Sequence, residues 1–120
     1  MKKLLISKIR KEFLNLKNTK EDCQSYMKTA LEEKGFKQIK KGEFSSCIDD
    51  LSNESDDILA LIKEQENILE KNSVFFSLPK FFIRSFIVKR KTKNMKKSFV
   101  NFVHQKSDYS FDEYKNINRR

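Results

Sequence analysis

The chain has 120 residues and a formal net charge of +9, with 38% hydrophobic and 36% charged residues. That length accommodates one modest core and excludes two. Two glycines and one proline are too few for the tight turns of an all-β sandwich or barrel, so helices with few connections are expected.

Residues 3–16 read as an amphipathic helix, with Leu5, Ile9, Phe13 and Leu16 at spacings of four, four and three. The pair Asn18–Thr19 interrupts the pattern. A second helix is expected from Thr19, which can cap it with Asp22 three residues on. Tyr26, Met27, Ala30 and Leu31 supply its buried face and Gly35 its C-terminal cap. The start of such a helix would lower the thiol pKa of Cys23. Phe36 to Phe44 has no clean apolar face and reads as a short strand or an extended connection around Gly42.

The acidic stretch that follows is the clearest helical region. Phe44, Ile48, Leu51, Ile58, Ile62 and Leu69 share a stripe into which Ser55 and Gln65 also fall. Ser52 to Ser55 is expected to divide it into two helices, with Asn53 or Ser55 as a cap.

Residues 74–104 admit two readings. A helix from Pro79 aligns Leu78, Phe82 and Phe86. Strands alternate Phe82, Arg84, Phe86 and Val88 with Ile83, Ser85 and Ile87. The helix is favoured, and a small β-hairpin is the alternative. Further on, Met95, Phe99, Phe102 and Val103 fit helical spacing. From Ser107 the chain is polar. Residues 107–120 are expected as a mobile tail, in which Tyr109, Phe111 and Tyr114 could pack one more short turn onto the body. The expected fold is mainly α, a bundle of about four to five helices in one domain, residues 1–106.

Charge is segregated along the chain. Residues 1–41 carry twelve basic and five acidic side chains, residues 42–70 one and nine, and residues 71–120 thirteen and three. Residues 71–107 hold no acidic residue, ten basic ones and seven of the eleven phenylalanines. Basic charge interleaved with aromatic rings suits a polyanion and its bases. Arg84, Lys89, Arg90, Lys91, Lys93, Lys96 and Lys97 are the candidate anion contacts. Asp49, Asp50, Glu54, Asp56 and Asp57, with Phe81, Phe82 and Phe86, are the candidate protein contacts, acidic charge for a basic groove and rings for anchors.

Candidate catalytic groups are sparse. His104 has no sequence neighbour that would tune an imidazole, Cys23 has no nearby histidine, and neither glycine belongs to a phosphate loop. One histidine and two cysteines fall short of a zinc site, and the carboxylates lack the ligand pattern of a calcium loop. No cofactor is expected. The cysteines are expected reduced and mostly buried. The apolar run Leu4 to Ile6 is shorter than a signal peptide's, and no window approaches the ~20 apolar residues of a membrane span, so a cytoplasmic protein is expected. These readings favour a non-enzymatic adaptor or inhibitor acting on another protein, which could itself bind nucleic acid. The alternative is a sequence-nonspecific nucleic-acid-binding protein using residues 80–97. Peripheral membrane attachment ranks third.

Overall fold

Three stretches of the chain bury residues at alternating intervals of three and four. In the first these are Leu16, Thr19, Cys23, Tyr26 and Ala30; in the second Leu51, Ser55, Ile58, Ile62, Gln65 and Leu69; in the third Phe81, Ser85, Val88, Thr92, Met95 and Phe99. A repeat averaging about 3.5 residues keeps one seam of a helix facing its neighbours over many turns.

The computed structural model describes residues 2–33, 41–71 and 74–118. They form α1 (Lys2–Glu33), α2 (Lys41–Lys71), α3 (Val74–Ser107) and a short α4 (Phe111–Asn118). The three long helices have 32, 31 and 34 residues, and each runs about 45–50 Å at the usual rise. Each packs against the other two. α2 and α3 are antiparallel, since Glu64 and Gln65 meet Arg84 and Ser85 while Glu54 shares a groove with Met95. α1 and α3 run parallel, since Lys8 meets Phe82 and Glu12 meets Ser85. The result is an up-down-up bundle around one core.

Each of the three long helices contributes one polar side chain to a shared layer, Gln65 and Ser85 buried and Glu12 half-buried at its edge. The Gln65 amide donates to Ser85 Oγ at 2.7 Å and, more weakly, to the Phe81 carbonyl at 3.4 Å. The Ser85 hydroxyl donates in turn to Glu12 Oε1 at 2.7 Å. Two further buried hydroxyls, those of Thr92 and Ser107, are satisfied within α3, each donating to the carbonyl four residues back. That bond removes most of the cost of burying them.

The chain leaves α3 through Asp108, whose φ of 57° is the left-handed conformation common at helix ends. Ser110 then caps α4, its Oγ accepting from the Glu113 amide at 3.1 Å. Tyr26 of α1 sits among Tyr109, Phe111 and Tyr114, with ring centroids 5.2 to 5.9 Å away. Its hydroxyl donates to the Tyr109 carbonyl. Tyr109 and Tyr114 are buried, so α4 closes over the C-terminal half of α1.

Several local expectations are corrected. α1 does not break at Asn18–Thr19, and α2 is not divided at Ser52–Ser55. Thr19 and Ser55 are buried on the core seam, where continuing the helix outweighs their preference for caps. Gly42 lies in the first turn of α2, not in a strand or extended connection. The hairpin alternative fails because α3 is one helix, beginning five residues before Pro79. Gly35 and residues 36–40 lie outside the described residues.

The polar layer generates a stability prediction. Ser85→Ala removes both the acceptor of Gln65 and the donor to Glu12, and should cost about 2–4 kcal/mol in chemical denaturation. Replacing all three members together (Glu12→Leu, Gln65→Leu, Ser85→Ala) should recover most of that loss, because no buried polar group is then orphaned.

Candidate functional site

The sequence-predicted basic residues do not share one surface. A helix turns by about 100° per residue, which distributes residues 84–97 around α3. Arg84 is half-buried and ion-paired with Glu64 of α2. Lys91 faces α2 across a cleft shared with Glu54 and Asp57. Lys89 faces α1. The half-buried Lys96 places its ammonium over the Phe111 ring, 4.8 Å from the centroid. Arg90, Lys93 and Lys97 are exposed.

The three aromatic candidates divide as well. Phe81 is 0% exposed, a core residue packed edge to face on Phe82 at 5.7 Å. Phe82 and Phe86 are 49% and 65% exposed, with Ile83 beside them at 61%. The five acidic candidates, Asp49, Asp50, Glu54, Asp56 and Asp57, are all exposed. Among the described residues, Arg84–Glu64 is the one ion pair within 4.0 Å, so none of the five is neutralised by a direct partner there.

Two grooves result. The larger, about 630 Å³, lies between α2 and α3. Leu51, Met95, Phe99 and Phe102 give it apolar walls, Asp50 and Glu54 contribute acidic charge, and among the described residues Lys106 is the one basic side chain of its lining. The other, about 450 Å³, lies between α1 and α3. Lys8, Lys11 and Lys89 surround it with Phe82 and Phe86, and Glu12 and Ser85 of the polar layer also line it. Lys8 sits 4.9 Å from the Phe82 ring centroid, a cation–π contact. Sequence reasoning overlooked Lys8 and Lys11. No local motif marks them, because their place beside α3 depends on how the two helices are oriented and aligned.

The thiols are poor nucleophiles. Burial pushes the Cys23 pKa up to about 12. Burial, with Asp50 and Glu54 adding to it, pushes Cys47 up to about 11. The expected depression at Cys23 is thus overturned, because no helix begins at Thr19. Among the described residues no three His, Cys, Asp or Glu side chains gather as metal ligands, and no helix is long and apolar enough to cross a membrane.

These thiols set an alkaline limit on stability. An unfolded cysteine ionises near its ordinary 9.0, while folded Cys23 holds its proton to about 12. The unfolded chain therefore loses protons first as pH rises. The stabilisation is whole below about pH 9 and is lost progressively through the folded pKa. The urea midpoint should be flat up to about pH 8 and fall above about pH 9, less steeply in Cys23→Ala. In native alkylation the partly exposed Cys47 should react before the buried Cys23.

Compared with protein-family models, curated proteins and solved structures, the chain matches none.

Proposed function

We propose that this chain is a non-enzymatic binding protein, an adaptor or inhibitor, that receives a cationic amphipathic segment of another protein between α2 and α3. The observation that supports this is the composition of the larger groove. Apolar side chains from both helices, Leu51, Met95, Phe99 and Phe102, lie beside the acidic Asp50 and Glu54, which outnumber the single lysine among the described residues of the lining, Lys106. A basic amphipathic helix has the complementary arrangement, an apolar stripe flanked by Lys and Arg. Burying its stripe removes the segment's own apolar surface from water, and on this chain it covers the half-buried Phe102, since Leu51, Met95 and Phe99 are already buried. Its cations meet carboxylates that have no ion pair within 4.0 Å among the described residues.

Asp49, Asp56 and Asp57 extend the acidic field of α2 beyond the groove and would speed encounter with a positive partner. Segments of that chemistry are common where proteins grip nucleic acid. An acidic helix that covers one competes with the polyanion, which is the physical basis of the inhibitor reading.

A second reading rests on the other groove. There Lys8, Lys11 and Lys89 surround the exposed rings of Phe82 and Phe86. That arrangement favours a nucleic acid as a partner of the basic side.

The test uses full-length tagged protein and native lysate, with and without nuclease. A partner should survive nuclease treatment, and its capture should drop at least about ten-fold in the double reversal Asp50→Lys, Glu54→Lys. Phe86→Ala, on the opposite groove, should leave capture unchanged. Capture that disappears with nuclease, or that ignores the reversal, would sink the proposal.

A further inference from the structure

We infer that the groove between α1 and α3 takes one unstacked base of a single-stranded nucleic acid, and that Glu12 selects bases carrying an amino group. The inference rests on the second functional reading and adds to it a ligand form, a site and a selectivity.

The first step concerns charge. Lys8, Lys11 and Lys89 converge on the groove from two helices. Among the described residues none of them has an ion pair within 4.0 Å. The ligand is therefore anionic, and three phosphate contacts would make binding strongly salt-dependent.

The second step concerns shape. Phe82 and Phe86 stand beside the cleft, and Phe86 is 65% exposed. An exposed ring beside phosphate-binding lysines is a stacking platform. The bases of a duplex are already stacked and paired, so only a single strand can offer one.

The third step concerns the polar groups. Glu12 Oε1 accepts from Ser85, while Glu12 Oε2 is buried without a hydrogen-bond partner. Oε2 itself exposes less than 1 Å², so the Glu12 carboxylate must turn into the groove for an occupant to donate to it, a rotation that the unmet hydrogen bond favours. A lipid chain would leave that oxygen unsatisfied, and an acidic face of a second copy would be repelled by it. Cytosine, adenine and guanine present an amino group. Thymine and uracil present their N–H between two carbonyl oxygens, which face the carboxylate unfavourably.

The experiment compares labelled oligo(dC) and oligo(dT) dodecamers by fluorescence anisotropy on the full chain, at about 50 and about 200 mM salt. A mixed-sequence duplex and phosphatidylserine vesicles serve as rival ligands, and sedimentation reports self-association. Oligo(dC) should bind at least about five-fold more tightly than oligo(dT), and Glu12→Gln should shrink that ratio. Phe86→Ala should weaken single-strand binding by at least about five-fold. Both variants should keep wild-type helicity and melting. Ser85→Thr, which preserves the hydroxyl, should keep the preference and serves as a second reading if Glu12→Gln unfolds.

Equal affinity for duplex and single strand, with Lys11→Ala and Lys89→Ala weakening both and Phe86→Ala neither, would overturn base capture while leaving the polyanion reading intact. No oligonucleotide binding at low salt would overturn both. Vesicle binding or self-association abolished by Phe86→Ala, without oligonucleotide binding, would assign the rings to a lipid surface or a second copy.

Discussion

The seven-residue repeat shared by the three long helices is the constraint from which the rest of this structure follows. A helix with 3.6 residues per turn drifts slowly against a repeat of seven. Three helices carrying the same repeat can therefore stay in contact from end to end. The few residues between successive long helices set orientation, antiparallel for α2 against either neighbour and hence parallel for α1 and α3. Orientation then fixes which distant residues meet. Lys8 and Lys11 lie beside Phe82 to Lys89 only because α1 and α3 advance together. Asp50 and Glu54 lie beside Met95 to Phe102 only because α2 runs the other way.

A repeat this regular has a weakness, since sliding one helix by seven residues preserves most apolar contacts. The layer of Glu12, Gln65 and Ser85 opposes such a slip. A shifted register would part the Gln65 amide from Ser85 and Ser85 from Glu12, leaving the buried Gln65 and Ser85 and the half-buried Glu12 without these bonds. A polar group at a single seam position is a known means of fixing register at some cost in stability. α4 adds a second lock at the far end, because Tyr109, Phe111 and Tyr114 fit around Tyr26 and not around another α1 position.

Much of this was legible in the sequence, though unevenly. The scarcity of glycine and proline pointed to helices, and the stripe through Ile48, Ser55, Gln65 and Leu69 already contained the α2 seam, polar members included. The local breaks read at Thr19 and at Ser55 were wrong for one reason. Capping preferences of about 1 kcal/mol were weighed without the burial that a continuous helix secures at those positions. Residues 82–88 allowed a strand because exposed Phe82, Ile83 and Phe86 obscured the seam of Phe81, Ser85, Val88 and Thr92. Once those four are read together, only the helix remains. The candidate cluster Lys89 to Lys97 was the least transferable reading. Proximity in sequence on a helix means dispersal around its axis, so the groove draws its charge from α1 as well.

The two grooves contain residues that the fold does not require. Core packing in α3 uses Phe81, Ser85 and Val88, and leaves positions 82, 83 and 86 facing outward. Polar side chains there would preserve the seam and reduce the exposed apolar surface. The three lysines bordering the α1–α3 groove likewise repel one another, with Glu12 the single carboxylate among the described residues of its lining. The acidic side chains of α2 could have offset that repulsion, yet they lie on the other side of α3. Only Arg84–Glu64 pairs directly among the described residues. Local choices that work against the free, isolated domain are the expected marks of function. Here they gather in two places, Asp50 and Glu54 beside apolar walls and Lys106 on one side of α3, and three lysines with exposed rings around Glu12 on the other. A chain selected for stability alone would have mixed them.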